Sequence, residues 1–222
     1  MSIPDRSSAV RAAVAFAERL PRGRHSLSRD EVAASQRRRI LRAVIDEVAA
    51  HGYVATTAAG IYGRAGVSSR AFYEQFDNKE ECFLAAYDAG VGTFIRRVKS
   101  AWLTDDTAPV ALDRLSRLLQ RYLDSLSRDQ SLARAFLVEI YAVERALQSR
   151  ESIQQRFVSL VEEALGARTP EGSPDRFATE AFVAAITFLV TARVATREYR
   201  DLAQLHRPLM SLAHRFFGEI PS

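Results

Sequence analysis

A short segment between residues 68 and 76 contains the side chains best suited to chemistry, and that chemistry is hydrogen bonding to the edges of bases. Arg70 is the one side chain there suited to bidentate contact with guanine. Ser69, Tyr73 and Gln75 add further polar groups within one or two helical turns, and Ala71 lies among them. An exposed helix that presents such a set fits the major groove of B-DNA.

The surrounding residues predict the elements that would position this set. Thr57 can cap a short helix that keeps Ile61 and Ala65 on one face, and Gly66 supplies a left-handed turn at its end. Ser68 can then cap a second short helix. The apolar residues that would hold this second helix against its neighbours are Val67, Phe72 and Phe76. The same pattern also fits an ordinary helical hairpin in an all-α protein, so it does not decide the function by itself.

The stretch from Gln36 to Phe83 resembles the DNA-binding domain of the tetracycline-repressor (TetR) family of transcription regulators. QRRRILRAVIDEVAAHGYVATT is similar to the family's first helix and its Gly-aromatic exit, with a buried face of Ile40, Leu41, Val44 and Val48. IYGRAGVSSRAFYEQFDNKEECF is similar to the second and third helices and the start of the fourth. The match covers roughly 50 residues, and such a long spaced string is more specific than a lone glycine turn.

The resemblance implies a DNA interface. We expect base readout from Ser69, Arg70 and Gln75. The residues expected on the DNA backbone are Thr57, Ser68, Tyr73 and, as the family's phosphate-contacting lysine at the start of the fourth helix, Lys79. An unpartnered surface lysine is the alternative for that last position.

Three departures from the family pattern affect this interface. Tyr62 stands where relatives usually have alanine, and we expect it to spread or rotate the crossing of the two reading helices. Ala59, Gly60 and Ala71 replace positions that are often polar, so fewer side chains can reach DNA. Because Gly60 and Gly63 each cost about 1 kcal/mol relative to alanine, packing must hold this helix.

Composition bounds the other possibilities. The chain has 222 residues, is 47% hydrophobic and carries a net charge of +4, all of which falls in residues 1–80. That asymmetry is expected if only the N-terminal part meets DNA, although so small an excess could arise by chance. Cys82 is the only cysteine, which fits a reducing, cytoplasmic setting and a packing role. The most apolar uncharged run, 181–192, is shorter than the ~20 residues that a bilayer requires, so we expect no membrane association.

Residues 1–28 form an N-terminal extension whose role two interpretations can explain. Residues 7–20 can form a short amphipathic helix, and Arg22 and Arg24 follow it in an extended basic segment. This segment could act as an arm in the minor groove beside the main contact, or as a solvated leader. Ser28 and Glu31 form a capping-box pattern that begins the first helix of the reading unit.

The remainder of the chain is predicted to be helical. Asn78 and Glu81 form a second capping-box pattern, which begins a long helix that ends near Trp102. Apolar stripes continue over residues 109–126, 131–147 and 152–165, and Gly166 ends the last of them. A long apolar helix over 175–200 and a final amphipathic helix over 207–218 complete the pattern.

The resemblance implies that this C-terminal part dimerises and binds a small molecule. The helix that contains Ala181–Ala192 is apolar on nearly every side, and Leu209, Leu212, Phe216 and Phe217 form a second stripe. Two such helices from each chain could build a four-helix interface, or both could be buried within one monomer. A hydrophobic effector could be lined by Trp102, Phe136, Ile140, Tyr141, Phe157, Phe182 and Ile186, with Glu139 or Arg193 as polar anchor, although side chains at this spacing can equally be core.

The sequence contains no pattern that favours an enzyme. It lacks the G-x-S-x-G, H-E-x-x-H, P-loop and dinucleotide motifs, and none of its four histidines has metal-ligand spacing. We therefore predict neither a cofactor nor a metal. An architectural DNA-binding protein, or a helical small-molecule-binding protein with weak DNA binding, is the alternative, although the modest charge argues against the architectural class.

These observations together predict an all-α, homodimeric transcription regulator, most simply a repressor released from a palindromic operator by a hydrophobic effector. The expected domains are the extension over 1–28, a three-helix DNA-binding domain with a helix-turn-helix over 29–80, and a helical effector-binding and dimerisation domain over 81–222.

Overall fold

The computed structural model describes residues 28–103, 111–166 and 174–218, and all regular secondary structure within them is helical. This confirms the predicted all-α class. The chain divides into two compact units, Met1–Thr93 and Phe94–Ser222. Their boundary falls within one long helix, 13 residues after the predicted domain boundary at residue 80. The predicted division into a DNA-binding domain over 29–80 and an effector-binding domain over 81–222 concerns function, and it stays a prediction.

The first unit contains helices α1 (Arg29–His51), α2 (Ala58–Ala65), α3 (Ser69–Tyr73) and the first part of α4 (Lys79–Leu103). The predicted face of α1 is buried at Ile40, Val44 and Val48, whereas Leu41 is only half-buried. The rings of Tyr53 and Phe83 lie 5.4 Å apart, which ties the exit of α1 to α4.

The second unit contains the end of α4, α5 (Ala111–Arg128), α6 (Gln130–Leu137), α7 (Leu147–Leu165), α8 (Pro174–Ala195) and α9 (His206–Phe217). Short 3-10 segments lie at Glu139–Ala142, Glu144–Ala146 and Tyr199–Leu205. Leucines of α5 pack with α7, α8 and α9 in one hydrophobic core, so this unit is a helical bundle.

The structure corrects two helix boundaries. The stripe over 131–147 predicted one helix, but α6 ends at Leu137 and α7 begins ten residues later, at Leu147. The predicted helix over 175–200 ends at Ala195, where Arg197 takes a left-handed φ of 63°. Non-glycine residues rarely adopt that conformation, so the chain turns sharply there.

Candidate nucleic-acid interface and effector-binding region

Capping side chains define the helix-turn-helix, and the sequence predicted each of them. The Oγ1 of Thr57 accepts a hydrogen bond from the amide of Gly60 at 3.1 Å, which begins α2. Gly66 adopts φ 62° and ψ 40°, the left-handed conformation that ends α2. The Oγ of Ser68 then accepts from the amide of Ala71 at 3.1 Å, which begins α3. The turn geometry is therefore set by local chemistry.

Helix α3 presents two of the three predicted base-reading residues to solvent. Ser69 is exposed, and the side chain of Arg70 is 88% exposed. Tyr73, which was predicted to contact the DNA backbone, is exposed as well. Gln75 is half-buried, just beyond the end of the helix. Ala71, which lies among these residues in the sequence, is buried.

Aromatic packing holds α3 from its inner side. The fully buried ring of Phe72 lies 6.2 Å from the ring of Tyr62 on α2 and 5.8 Å from that of Phe76. Tyr73 meets Phe72 edge-on at 5.3 Å, which fixes the base of its exposed ring. The guanidinium of Arg37 covers Phe76 at 4.5 Å. Tyr62 thus occupies the contact between the two reading helices, and its effect on their crossing stays a prediction.

The ammonium group of Lys79 has a role that the sequence did not indicate. Its Nζ donates to the carbonyl oxygens of Tyr53, Val54 and Thr56 at 3.0, 3.1 and 2.8 Å. An ammonium group has three donors, and these three carbonyls can accept all of them. The side chain therefore anchors the loop between α1 and α2 to the start of α4. The phosphate contact that the resemblance implied stays a prediction, and the helix N-terminus offers its amide groups for it.

The second capping-box pattern forms only in part. The Oδ1 of Asn78 accepts from the amide of Glu81 at 2.9 Å, as predicted. The carboxylate of Glu81 accepts instead from the amide of Asp77 at 2.7 Å, one residue before the expected partner. By contrast, Ser28 and Glu31 form both bonds of the first capping box.

Two side chains of α1 hold the helix-turn-helix in place, and sequence reasoning missed both. Arg39 donates to the carbonyl oxygens of Ala65 and Gly66 at 3.2 and 3.3 Å, which satisfies the end of α2. Glu47 accepts from the Nε of Arg64 at 2.6 Å and lies 3.0 Å from the Nδ1 of His51. The hydrogen bond from Arg64 holds the pKa of Glu47 below its ordinary value, and the charges of Arg64 and His51 act in the same direction. The hydrogen bonds of Arg39 to the end of α2 and of Glu47 to Arg64 each span 17 or more residues, so no short sequence pattern indicated them.

Cys82 is a packing residue in this unit. Its side chain is fully buried, and burial raises the pKa of the thiol to about 12. A thiol that is protonated and enclosed has little nucleophilic character.

The predicted effector-lining residues that the structure describes lie in different environments of the second unit, and their role stays a prediction. Phe182 and Ile186 belong to the bundle core, and Phe157 packs against it with its ring 5.7 Å from that of Tyr122. Phe136 and Ile140 are buried, whereas Tyr141 is 54% exposed beneath the guanidinium of Arg150. The side chain of Trp102 and the arm residues Arg22 and Arg24 lie outside the described part of the structure.

The two predicted polar anchors are paired with neighbouring charges. Glu139 accepts from Arg134 at 2.9 Å, and Arg193 donates to Glu198 at 2.7 Å on the surface. Arg193 is therefore not directed into the bundle core. The buried Nε of Arg134 has no hydrogen-bond partner, so this ion pair is incompletely satisfied.

A groove of about 430 Å³ lies between the second-unit end of α4 and the exposed face of α7. Ile95 and Leu160 are its apolar residues, and the Nζ of Lys99 meets Glu163 across it at 2.6 Å. The polar residues that complete its lining are Ser152, Gln155, Arg156 and Ser159. Among the predicted effector residues whose side chains the structure describes, none lines this groove.

Helix α8 carries an exposed apolar face. Phe177 is 72% exposed and Phe188 is 74% exposed, and Phe216 of α9 is partly exposed as well. Phe216 contacts the buried Phe182 at 6.3 Å between ring centroids, so α9 lies beside this face. By length and composition alone, Asp175–Ala195 is long and apolar enough to cross a bilayer, and 33% of its most apolar window is buried inside the protein. The sequence predicted an apolar helix here, and the structure shows which side of it is uncovered.

Comparison with known proteins identifies the first unit. The sequence profile of the bacterial regulatory proteins of the tetR family matches residues 40–86, which span the second half of α1, all of α2 and α3, and the start of α4. The first unit therefore matches the DNA-binding part of the TetR family. The fatty acid metabolism regulator protein of Bacillus subtilis (strain 168) is 23% identical over 179 residues, which cover 78% of this chain and 91% of that protein.

Solved structures extend the likeness to the C-terminal bundle. The fatty acid degradation regulator FadR from Bacillus halodurans has a TM-score of 0.68 and 24% identity, and the match covers 83% of this chain and 96% of that one. FadR from Bacillus subtilis, solved in complex with stearoyl-CoA, has a TM-score of 0.61 and 20% identity over 82% of this chain and 98% of that one. At such identities the likeness establishes the fold of the chain.

Proposed function

We propose that this TetR-family protein is a sequence-specific transcription regulator, a repressor that leaves its operator when a small hydrophobic effector binds. The observation that carries the proposal is the exposed polar face of α3, where Ser69, Arg70 and Tyr73 face solvent while Phe72 is fully buried. A helix anchored on one side and polar on the other can enter the major groove without distortion of its own fold. Relatives of this chain are regulators rather than enzymes.

Helix α3 supplies the base-reading groups in this proposal, and the flanking caps supply backbone contacts. Arg70, Ser69 and Gln75 read bases. Thr57, Ser68 and Tyr73 contact phosphates, together with the amide groups at the start of α4 around Lys79. Arg22 and Arg24 act as an arm beside the main contact.

A second copy of the chain is the proposed occupant of the apolar face on α8. Three large apolar rings, those of Phe177, Phe188 and Phe216, are exposed to solvent in the monomer. Such an exposed apolar patch is typical of a protein–protein interface. Residues 177, 181, 184 and 188 follow helical spacing, with alanines between the two phenylalanines, so two copies of α8 could approach closely. A dimer built on α8 and α9 would place two copies of α3 on a palindromic site, with half-sites about 34 Å apart.

The charges on α8 favour this occupant over a bilayer. The helix carries Asp175, Arg176, Glu180 and Arg193. Each charge at the centre of a spanning helix would cost about 2.5–3.5 kcal/mol, and less towards its ends. Arg176 is already engaged with Glu162 at 2.7 Å and Glu180 at 3.1 Å. A protein dimer leaves these ion pairs intact in the cytoplasm.

A long-chain acyl-CoA is the effector class that the relatives favour, since one similar structure is a complex with stearoyl-CoA. In this chain Lys99 and Arg156 line the groove between α4 and α7 and could meet the phosphates of such a molecule. Lys99 already shares its charge with Glu163 at 2.6 Å, so Arg156 contributes most of the attraction to an anionic head. An effector releases DNA only if it favours a spacing of the heads that the operator does not accept.

Selection of bound duplexes from a random pool, at two salt concentrations, tests the DNA-binding proposal. We expect an enriched palindrome whose selection persists at the higher salt and against competitor DNA. Binding without enrichment, lost at higher salt, would mean that the protein neutralises phosphates without reading bases.

The selected operator then tests the effector. We expect stearoyl-CoA to release the protein, while CoA and stearate alone do not, and Arg156→Ala to require a higher concentration of stearoyl-CoA. Gln154→Ala is the matched control, since Gln154 is exposed on α7 outside the groove. Release by none of these compounds would assign the effector to another chemical class.

A further inference from the structure

Arg70 on the reading helix is held by a carboxylate. Its Nε donates to the Oε1 of Glu74 at 2.9 Å, one turn along the chain. Both side chains are well exposed, at 88% for Arg70 and 59% for Glu74. Exposed pairs at this spacing contribute little to stability, so the fold alone gives no reason for the pair.

The hydrogen bond determines which donors of Arg70 remain available. A guanidinium has one N–H on Nε and two on each terminal nitrogen, all in one plane. With Nε directed at Glu74, the two terminal nitrogens form the free end of the group. That end can donate two parallel hydrogen bonds to the O6 and N7 of guanine. Restriction of a long, flexible side chain before binding also reduces the entropy that recognition costs.

The charge of Glu74 indicates that the pair acts on specificity rather than affinity. A carboxylate on a DNA-facing helix cancels the positive charge of Arg70 and repels phosphates, so it lowers non-specific attraction. Since Glu74 weakens binding to every sequence, specificity increases for the one sequence in which Arg70 makes all its hydrogen bonds.

We infer that Glu74 is a specificity-determining residue, which positions the guanidinium of Arg70 for bidentate recognition of one guanine in each half-site. The inference rests on the proposed function, because it assumes that α3 reads bases. Glu74 acts through Arg70 and makes no base contact of its own.

Parallel selections with four variants test the inference. The variants are Arg70→Ala, Glu74→Ala, Glu74→Gln and the double substitution Arg70→Ala/Glu74→Ala. We expect Glu74→Ala to reduce the preference for guanine by about 3–10-fold at the same position that Arg70→Ala relaxes, as for other coupled contacts. Affinity for random-sequence DNA should stay the same or rise. The double variant should match Arg70→Ala at that position, and Glu74→Gln should retain part of the preference because its amide oxygen still accepts from Nε.

Three outcomes would overturn the inference. A changed preference at a different base pair would mean that Glu74 itself accepts from cytosine. Higher affinity for all sequences with an unchanged preference would leave Glu74 as a source of repulsion only. Additive losses in the double variant would show that the two residues act independently. Failure of the proposed function would differ from all three, since the wild-type protein would then enrich no sequence.

Discussion

The Nζ of Lys79 donates to the carbonyl oxygen of Thr56 over 2.8 Å, the shortest of the three bonds that this lysine makes to the loop between α1 and α2. The same ammonium group lies 4.7 Å from the ring centre of Tyr53. Lys79, at the start of α4, is thereby joined to the loop that leads into α2. In the first unit, the position of the reading helices is coupled to α4 through this residue.

Substitution of Lys79 by methionine should destabilise the first unit more than it alters phosphate contact. Hydrogen bonds from charged groups contribute about 1.5–3 kcal/mol, and we expect a loss of free energy of unfolding in this range. Since the ammonium is engaged with carbonyls, the slope of log affinity against log salt should be unchanged. Denaturation and a salt titration of operator binding measure the two quantities.

Arg121→Met is the control for Lys79→Met, because Arg121 is exposed on α5 in the other unit. It should leave both stability and operator binding close to those of the wild type. A slope that falls by about one in Lys79→Met alone would show that its ammonium neutralises a phosphate.

Two glycines of α2 should respond oppositely to alanine. A Cβ at Gly63 would meet nothing within 4 Å, so Gly63→Ala should stabilise α2 by roughly 0.5–1 kcal/mol. A Cβ at Gly60 would lie 3.3 Å from the Oε2 of Glu47, whose carboxylate is held by Arg64 and His51. Gly60→Ala should therefore gain less or lose stability. Thermal denaturation of the pair compares them directly, and equal gains would show that Glu47 shifts freely.

Local chemistry explains which parts of the site could be predicted from sequence. Thr57, Gly66 and Ser68 each satisfy backbone groups within three residues, so their types and spacing predicted the helix ends. Arg39 and Glu47 act on groups 17 to 27 residues away, and no short pattern contains both partners. Nothing in the sequence therefore distinguished Arg39 and Glu47 from the other charged residues of α1.

The same limit applies to the C-terminal unit. The apolar periodicity of residues 131–147 continues across the 3-10 segments, because Ile140 and Val143 are buried in spite of the break. Periodicity reports burial, and burial does not require a continuous helix. The exposed side of α8 could not be predicted from the sequence either, because an apolar helix does not show which of its residues a monomer leaves uncovered.

The Glu47 carboxylate should make the stability of α2 depend on pH. Its pKa in the folded protein is lowered, chiefly by the hydrogen bond from Arg64. A lowered pKa means that the stabilising contribution is present above the pKa of the unfolded chain and is lost as pH falls through the folded value. Glu47→Gln should thus destabilise α2 by about 1.5–3 kcal/mol at neutral pH, and by less in acid.

Hydrogen exchange of the α2 amide groups at several pH values measures this difference, after correction for intrinsic exchange rates. Asp46→Asn provides the control, because Asp46 pairs with Arg42 one turn away on the surface of α1. That pair should contribute less than about 1 kcal/mol. A deficit in Glu47→Gln that stays constant into acid would contradict the assigned role of ionisation.

The apolar face of α8 provides the last prediction, which concerns assembly. Phe188→Glu places a carboxylate where we propose that two copies of α8 meet. Burial of an unpaired carboxylate is costly, so either the group stays protonated or the two copies separate. We expect the variant to sediment as a monomer and to bind a single half-site far more weakly than the dimer binds its palindrome. Leu147→Glu, at a residue that is 66% exposed and remote in sequence from α8 and α9, should remain dimeric. Since Phe188 is 74% exposed in the monomer, the substitution should leave the fold of the chain intact. Analytical ultracentrifugation separates the cases: a wild-type protein that is already monomeric would remove the second copy from this face, and a dimeric Phe188→Glu variant would place the interface elsewhere.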